Sequence, residues 1–294
     1  GLHRLGSSRT PAARTQLVRG FAGRDGASAL GRDVRRTAGR VRFSMSAPTV
    51  RVEEDEESVG RALCAILEAE CASALASRGS FSFAISGGSM LKMLSNLGGE
   101  SVVASDKCTM AFVSHRCVPL DDDGATYHKA RPKFLDAWMQ QGLKVVVPSG
   151  SDDAEKEAAG YEAALLALPQ DANGRPAFDL LLIGIGLDGH VGSIYPNIPD
   201  VDSQRVVVPI TGVDGMGKLS TKISLSLATM QAARMSVVAC AGKSAKAPLG
   251  KAQAMVRALE AAETPMSFPA SALRHSATWL IDADSAVLLG GTGR

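Results

Sequence analysis

Between residues 80 and 290, short runs of consecutive apolar residues alternate with stretches whose apolar residues recur every three or four positions. The runs include FSFAIS (81–86), TMAFVS (109–114), FDLLLIGI (178–185) and MSVVACAG (235–242). Continuous apolar strands are typical of a parallel sheet that is covered on both faces, and the periodic stretches predict the covering helices. We therefore predict an α/β fold with a single doubly wound, mostly parallel sheet and helices on both faces.

Helices are predicted between these strands. Residues 54–78 place apolar side chains at three- and four-residue spacing after an acidic first turn, which predicts an amphipathic helix that ends at Gly79. Further helices are predicted over 125–141 with a kink at Pro132, over 152–168 and over 247–262, and further strands over 143–148, 206–210, the start of 222–230 and 278–289. No linker or repeat interrupts the pattern after residue 50, so we predict one domain over residues 50–294.

The first 44 residues differ from this domain in composition. Residues 1–43 contain ten arginines, no lysine and two acidic residues, a formal charge of +8. Since the whole chain carries +2, the remaining residues carry −6. Arginine-rich, acid-poor composition without an apolar core is typical of organellar transit peptides. We predict a disordered transit peptide over residues 1–44 and a plastid stroma location, favoured over the mitochondrial matrix. A basic tail is the alternative, and translation from Met45 would give a cytosolic protein.

Composition also excludes several classes of partner. No window reaches the roughly 18 unbroken apolar residues of a membrane span. The mildly acidic domain has no basic stripe, and its Phe and Tyr residues are scattered, which argues against nucleic acid. The five cysteines form no C-x-x-C pair and have no His cluster at zinc spacing. They predict buried free thiols in a reducing compartment.

Polar residues follow the predicted strands, and in a doubly wound sheet such loops meet in one crevice. The first loop is Ser86-Gly87-Gly88-Ser89, where glycines allow a tight turn with exposed N–H groups before a helix. Such loops bind phosphate. A β–α turn with a serine cap is the alternative, and the G-K-[ST] ending of a Walker A loop is absent.

Basic side chains also follow the predicted strands. Arg116 follows the strand that begins at residue 109 and is placed to clamp a phosphate or polarise a carbonyl group. Its alternative is a salt bridge with the acidic run 121–123. Lys222, Lys243 and Lys246 are candidates to complete a phosphate site, with solvated lysines at helix ends as the alternative.

The loop G-I-G-L-D-G-H (184–190) contains a literal G-x-G-x-x-G, which raises the possibility of a dinucleotide site. Its late position, the proline-punctuated sequence that follows and the lack of a ribose-binding acid argue against that site. We interpret it as a strand-end loop that exposes Asp188 and His190. His190 is then a candidate general base that Asp188 orients, with a structural histidine as the alternative.

Taken together, these blocks resemble the 6-phosphogluconolactonase family over about residues 50–290. That family shares its fold with glucosamine-6-phosphate deaminases and ribose-5-phosphate isomerases. AISGGSMLKML resembles the family's phosphate loop, and FVSHRCVP its D-E-R-x-V-P block. IGIGLDGHVGSIYP is similar to G-x-G-x-D-G-H-x-x-S-L-F-P, KISLSL to R-I-T-L-T and PASAL (269–273) to the late P-A-S motif.

The resemblance implies hydrolysis of 6-phospho-D-glucono-1,5-lactone to 6-phosphogluconate, the second step of the oxidative pentose phosphate pathway, without metal or cofactor. His190 would be the general base, Asp188 would assist it, and Arg116 would bind substrate or stabilise the oxyanion. The phosphate would be held by Ser86, Gly87, Gly88, Ser89, Lys222 and either Lys243 or Lys246. The implied enzyme binds a small sugar phosphate and is a monomer or a small homo-oligomer.

Three departures from the family pattern bear on these assignments. Ser114 and His115 replace the D-E pair, Lys222 replaces an arginine, and Lys246 lies one residue further from Gly242 than in G-x-x-K. The main alternative is an isomerase or deaminase of the same fold, but Ser114 replaces the aspartate that the deaminases use, and residues 191–199 hold no acid. A non-catalytic sugar-phosphate sensor is the other alternative, although His190 is retained and no helix-turn-helix precedes the domain.

Overall fold

A computed structural model describes residues 47–213, 219–243, 245 and 247–290 of the chain. The predicted transit peptide over residues 1–44 lies outside these described residues, as does Lys246. The two predictions therefore stay predictions.

The described strands and helices alternate along the chain. The strands are β1 (Thr49–Glu53), β2 (Phe81–Ile85), β3 (Cys108–Phe112), β4 (Ser114–Arg116), β5 (Lys144–Val145), β6 (Leu180–Gly184), β7 (Val207–Val213), β8 (Leu219–Leu225), β9 (Ser236–Cys240) and β10 (Ala277–Asp282). The helices are α1 (Glu56–Arg78), α2 (Ser89–Leu94), α3 (Thr126–Ala130), α4 (Asp136–Gln140), α5 (Ala154–Leu165), α6 (Leu227–Gln231), α7 (Gly250–Leu259) and α8 (Ala283–Ala286). Short 3₁₀ turns lie at Ser95–Leu97, Pro199–Asp202 and Pro269–Leu273.

Among the described residues, seven strands form a parallel sheet in the order β1-β10-β9-β6-β2-β3-β5. Its two faces are covered by separate apolar clusters. Along β2, Phe83 and Ile85 pack into one cluster while Ala84 packs into the other, as the alternation of side chains along a strand requires. The predicted α/β fold with a mostly parallel sheet between layers of helices is thus confirmed.

The prediction of a single sheet needs a correction, because β4, β8 and β7 form a second, antiparallel sheet. The run TMAFVS was predicted as one strand, but it divides at Val113. The Val113 N–H donates to Ile85 O at 2.9 Å in the parallel sheet, and its carbonyl accepts from Leu225 N at 2.8 Å in the second sheet. One buried residue therefore joins the two sheets, and an unbroken apolar run conceals the boundary.

Helix α1 shows why the predicted amphipathic stretch is helical. Asp55 caps its N-terminus by accepting a hydrogen bond from Ser58 N at 2.7 Å, and Gly79 ends it with φ 75°. Its buried side chains recur at helical spacing and include Val59, Leu63, Leu67 and Cys71. The predicted kink at Pro132 appears as a π turn (Arg131–Leu135) between α3 and α4, since proline cannot donate the backbone hydrogen bond of a regular helix.

The strand order indicates where in the sheet a ligand-binding crevice is expected. From β2, the next strand β3 lies on one side and β6 on the other, so the chain reverses its direction of progress across the sheet between β2 and β6. Ligands in such sheets bind beyond the carboxyl ends of the strands at this switch point. The two glycine-rich loops that the sequence analysis singled out follow these two strands. No helix in the described part of the chain is long and apolar enough to cross a membrane.

Candidate active site

A cavity of about 370 Å³ lies at the carboxyl ends of the parallel strands. It brings together most of the site residues that the sequence predicted, namely Ser86, Gly87, Gly88, Ser89, Arg116, His190 and Lys222. Asp188 adjoins the cavity through its hydrogen bond to His190.

The loop after β2 is fixed to the neighbouring strand β6. The buried Ser86 hydroxyl accepts a hydrogen bond from Gly184 N at 3.2 Å, and Ser86 N donates to Leu182 O at 2.9 Å. Gly88 has φ 68°, a left-handed conformation that favours glycine, and it directly precedes α2. The turn therefore exposes its backbone to the cavity beside the loop that carries His190.

Glycines in the loop after β6 allow the loop to make a tight turn and to pack closely against its neighbours. Gly186 N donates to His190 O at 2.9 Å, and Gly189 N donates to Gly186 O at 3.0 Å, which closes a tight turn. A Cβ atom at Gly186 would overlap the His190 imidazole, and one at Gly189 would overlap the Phe268 ring. Close packing thus accounts for the second and third glycines of the G-x-G-x-x-G segment without a dinucleotide.

His190 and Asp188 form the pair that the sequence predicted. Asp188 Oδ1 lies 2.6 Å from His190 Nδ1 and also accepts from His190 N at 3.2 Å. Burial raises the pKa of Asp188, but its hydrogen bonds and the charge of His190 outweigh burial and leave this pKa below its ordinary value. An ionised Asp188 holds the histidine proton on Nδ1, so the lone pair remains on Nε2. The His190 side chain is 33% exposed and accessible from the cavity.

Arg116 and Lys222 come from the antiparallel sheet, where they are directly opposite each other on β4 and β8. Both line the cavity. The predicted alternative of a salt bridge between Arg116 and the acidic run 121–123 is not formed among the described residues. An arginine in the lining of a cavity can bind an anionic ligand through its planar guanidinium.

His115, which stands in place of a family glutamate, has a structural part beside Arg116. Its Nδ1 donates to Arg116 O at 2.7 Å and its Nε2 accepts from Tyr127 N at 3.1 Å. Acceptance at Nε2 requires the neutral imidazole, because a protonated ring has no free lone pair there. Burial lowers the pKa of His115, which favours that form. The side chain thus ties the end of β4 to helix α3.

The lysines after β9 differ in whether they line the cavity, which their spacing in the sequence did not predict. Lys243 forms an ion pair with Asp284 at 2.8 Å, which raises the pKa of Lys243, and it does not line the cavity. Lys251, in the first turn of α7, does line it, and its ammonium donates to Ala241 O. Sequence reasoning missed Lys251, although its place near the start of the predicted helix 247–262 was an available signal.

Tyr195 was also missed. Its hydroxyl accepts a hydrogen bond from Lys222 Nζ at 2.6 Å, and its ring centroid lies 4.8 Å from that of His190. The available signal was its place in the S-I-Y-P segment (193–196) that follows the Asp–His loop.

The charged residues that line the cavity within the described part of the chain are all basic. They are Arg116, Lys129, Lys222 and Lys251. A positive lining around an accessible Asp–His pair suits an anionic substrate that reacts by proton transfer.

Comparison with known proteins identifies the family of the chain. The family model described as glucosamine-6-phosphate isomerases/6-phosphogluconolactonase matches residues 54–281. The chain belongs to this family. It is 30% identical to a 6-phosphogluconolactonase of Streptomyces coelicolor over 81% of this chain and 94% of that protein. It is 29% identical to a 6-phosphogluconolactonase of Homo sapiens over 83% of this chain and 96% of that protein.

Solved structures show the shared fold of the glucosamine-6-phosphate isomerase/6-phosphogluconolactonase family. A 6-phosphogluconolactonase from Trypanosoma brucei superposes with a TM-score of 0.69 at 24% identity, covering 83% of this chain and 99% of that one. A monomeric glucosamine-6-phosphate deaminase superposes with a TM-score of 0.64 at 20% identity, covering 82% and 99%. Because relatives with two different reactions share the fold, the reaction must be argued from the site.

Proposed function

We propose that this protein is a 6-phosphogluconolactonase, which hydrolyses 6-phospho-D-glucono-1,5-lactone to 6-phosphogluconate in the oxidative pentose phosphate pathway. The observation that carries the proposal is the Asp188–His190 pair, joined at 2.6 Å, at a cavity whose charged lining residues are basic. The lactonases among the relatives of this chain support the same substrate.

In this proposal His190 Nε2 takes a proton from water while the water oxygen bonds to the lactone carbonyl carbon. The carbonyl electron pair moves onto oxygen, and a nearby cation such as Arg116 stabilises the negative charge. Collapse of the intermediate re-forms the carbonyl and breaks the bond to the ring oxygen, which receives the proton from His190. Asp188 stabilises the imidazolium between these steps. A lactone is an activated ester, so general-base help of about 10²–10⁴-fold together with positioning is sufficient.

The substrate phosphate would be bound by the loop 86–89 and by basic side chains. Lys222 and Lys251 line the cavity and support this role. We assign the role to Lys251 in place of Lys243, because Lys251 lines the cavity whereas Lys243 does not and is paired with Asp284. The other candidate, Lys246, lies outside the described residues. The two ends of the substrate would thus be held by different groups, the phosphate by cations and the lactone beside His190.

The deaminase or isomerase reaction of the same fold fits the site less well. Those deaminases abstract a carbon-bound proton with an aspartate at the position of Ser114. Ser114 lines the cavity here, and the described lining residues include no carboxylate. The carboxylate that adjoins the cavity, Asp188, is hydrogen-bonded to His190 at 2.6 Å, so the site favours a histidine base for water over a carboxylate base for a carbon acid.

We also propose that residues 1–44 direct the protein to the plastid stroma. Their arginine-rich composition supports this, as does their position ahead of the family match, which begins at residue 54. A fusion of residues 1–44 to a fluorescent protein should enter plastids. Fluorescence in mitochondria would contradict the plastid assignment but support organellar targeting, and diffuse cytosolic fluorescence would contradict targeting altogether.

The reaction is tested with the full chain and freshly generated lactone, by following acid release at neutral pH. We expect ring opening well above the spontaneous rate, and a loss of about 10²–10⁴-fold in kcat for His190→Ala. His128→Ala is the matched control, since His128 does not line the cavity. Full activity in His190→Ala would overturn the assignment of the base. An inactive wild type that still binds 6-phosphogluconate would indicate a binding protein.

A further inference from the structure

Tyr195 links the general base to a basic side chain of the cavity. Its ring lies against His190, with centroids 4.8 Å apart and planes inclined by 39°. Its hydroxyl accepts from Lys222 Nζ at 2.6 Å, and the same ammonium lies 5.0 Å from the centroid of the ring. One half-buried side chain therefore contacts both functional groups.

The type of partner matters for Lys222. A carboxylate would hold the ammonium but would also place a negative charge beside it, as in the Lys243–Asp284 pair at 2.8 Å. The phenol oxygen of Tyr195 is a neutral acceptor, so it holds the ammonium and leaves the positive charge available to a ligand. The position of the ammonium is thereby fixed without loss of its electrostatic use.

Lys222 needs such an anchor more than an arginine would. An ammonium group on a flexible four-carbon stem lacks the planar fork of a guanidinium. The lysine also faces Arg116 across the β4–β8 pair, where two like charges repel each other. The family pattern quoted above has Phe and Arg at the positions of Tyr195 and Lys222, so both differences fall on two residues that touch.

We propose that Tyr195 is a positioning residue that acts through two other side chains. Its hydroxyl fixes the Lys222 ammonium for binding of the substrate anion, and its ring restricts the His190 imidazole. The hydroxyl and the tyrosine–lysine pair thus replace the fork of an arginine. This proposal rests on the proposed lactonase function for its substrate, but the anion-binding part is measurable without turnover.

The hydroxyl is tested by Tyr195→Phe in the full chain, with Tyr127→Phe as the matched control because Tyr127 does not line the cavity. We expect KM for the lactone and the Kd of 6-phosphogluconate to rise roughly three- to tenfold, with kcat changed less than about twofold. In a Lys222→Met background, the same change should have no further effect on either constant. In a Lys222→Arg background it should be tolerated, since the guanidinium supplies its own geometry.

The ring is tested by Tyr195→Leu, which should lower kcat as well as weaken binding, because the imidazole loses its neighbour. Equal effects of Tyr195→Phe with and without the Lys222 ammonium would overturn the positioning of Lys222. An unchanged kcat in Tyr195→Leu would overturn the contact with the base. If the wild type binds 6-phosphogluconate but does not hydrolyse the lactone, the proposed function fails, whereas the binding measurements still decide the tyrosine–lysine pair.

Discussion

The two sheets contribute different chemistry to the same cavity. The parallel sheet supplies loops, and these carry the Asp188–His190 pair and the turn at 86–89. The antiparallel sheet supplies regular strands, and these hold Arg116 and Lys222 opposite each other by backbone register. Proton transfer therefore depends on glycine-built loop geometry, whereas the positive charge depends on strand pairing and on side-chain partners.

This difference predicts that the loop after β6 is the more easily broken part. Gly186→Ala would place a Cβ atom within the space of the His190 ring and Asp188 Oδ1. We expect kcat to fall about 10²–10⁴-fold, as for loss of the base, because the pair cannot keep its 2.6 Å hydrogen bond.

Gly160→Ala is the matched control for Gly186→Ala. It lies in α5, where an added Cβ meets nothing within 4 Å, and it should leave kcat unchanged while stabilising the fold by about 0.5–1 kcal/mol. Normal activity in Gly186→Ala would mean that the pair tolerates displacement and that the loop is less constrained than its packing indicates.

Two lysines only eight positions apart in the sequence, Lys243 and Lys251, test which basic side chains bind the substrate. Lys251→Ala should raise KM roughly tenfold, because it removes a cation from the cavity lining. Lys243→Ala should change KM by less than about twofold, since its charge is already paired with Asp284. Steady-state kinetics on the lactone measure both. The reverse order of effects would return the phosphate site to Lys243.

These cases show what the sequence could and could not specify. The alternation of apolar strands and periodic helices predicted the fold, because burial on both faces imposes that pattern. The Asp188–His190 pair was predicted because both members lie within one tight turn. The sequence left the phosphate site between Lys243 and Lys246. The proposal of Lys251 rests on the cavity lining and on the pairing of Lys243 with Asp284 in α8, and no local spacing contains that information. The division at Val113 was hidden because that residue is buried in both sheets.

The smallest expected effect is a pH dependence of stability at His115, which ties β4 to helix α3. Burial lowers the pKa of His115 in the folded protein, although its hydrogen bond to Arg116 O and the charge of Glu157 oppose this. Well above the ordinary histidine pKa of about 6.5, the residue is neutral in both states and its contribution to stability is complete. As the pH falls below this value, the unfolded chain takes up a proton before the folded chain does, so the free energy of unfolding decreases.

A His115→Gln variant should therefore lose less stability than the wild type between pH 7.5 and about pH 5, as measured by urea unfolding. The range stays above the pH at which Asp188, with its lowered pKa, begins to be protonated. Each unit of pKa difference corresponds to about 1.4 kcal/mol, so the effect is modest beside the kinetic ones. Parallel loss of stability in both proteins would show that protonation of His115 is not coupled to folding. The connection between β4 and α3 would then persist whether or not the imidazole of His115 is protonated. Arg116, at the end of β4, would keep its position at acidic pH.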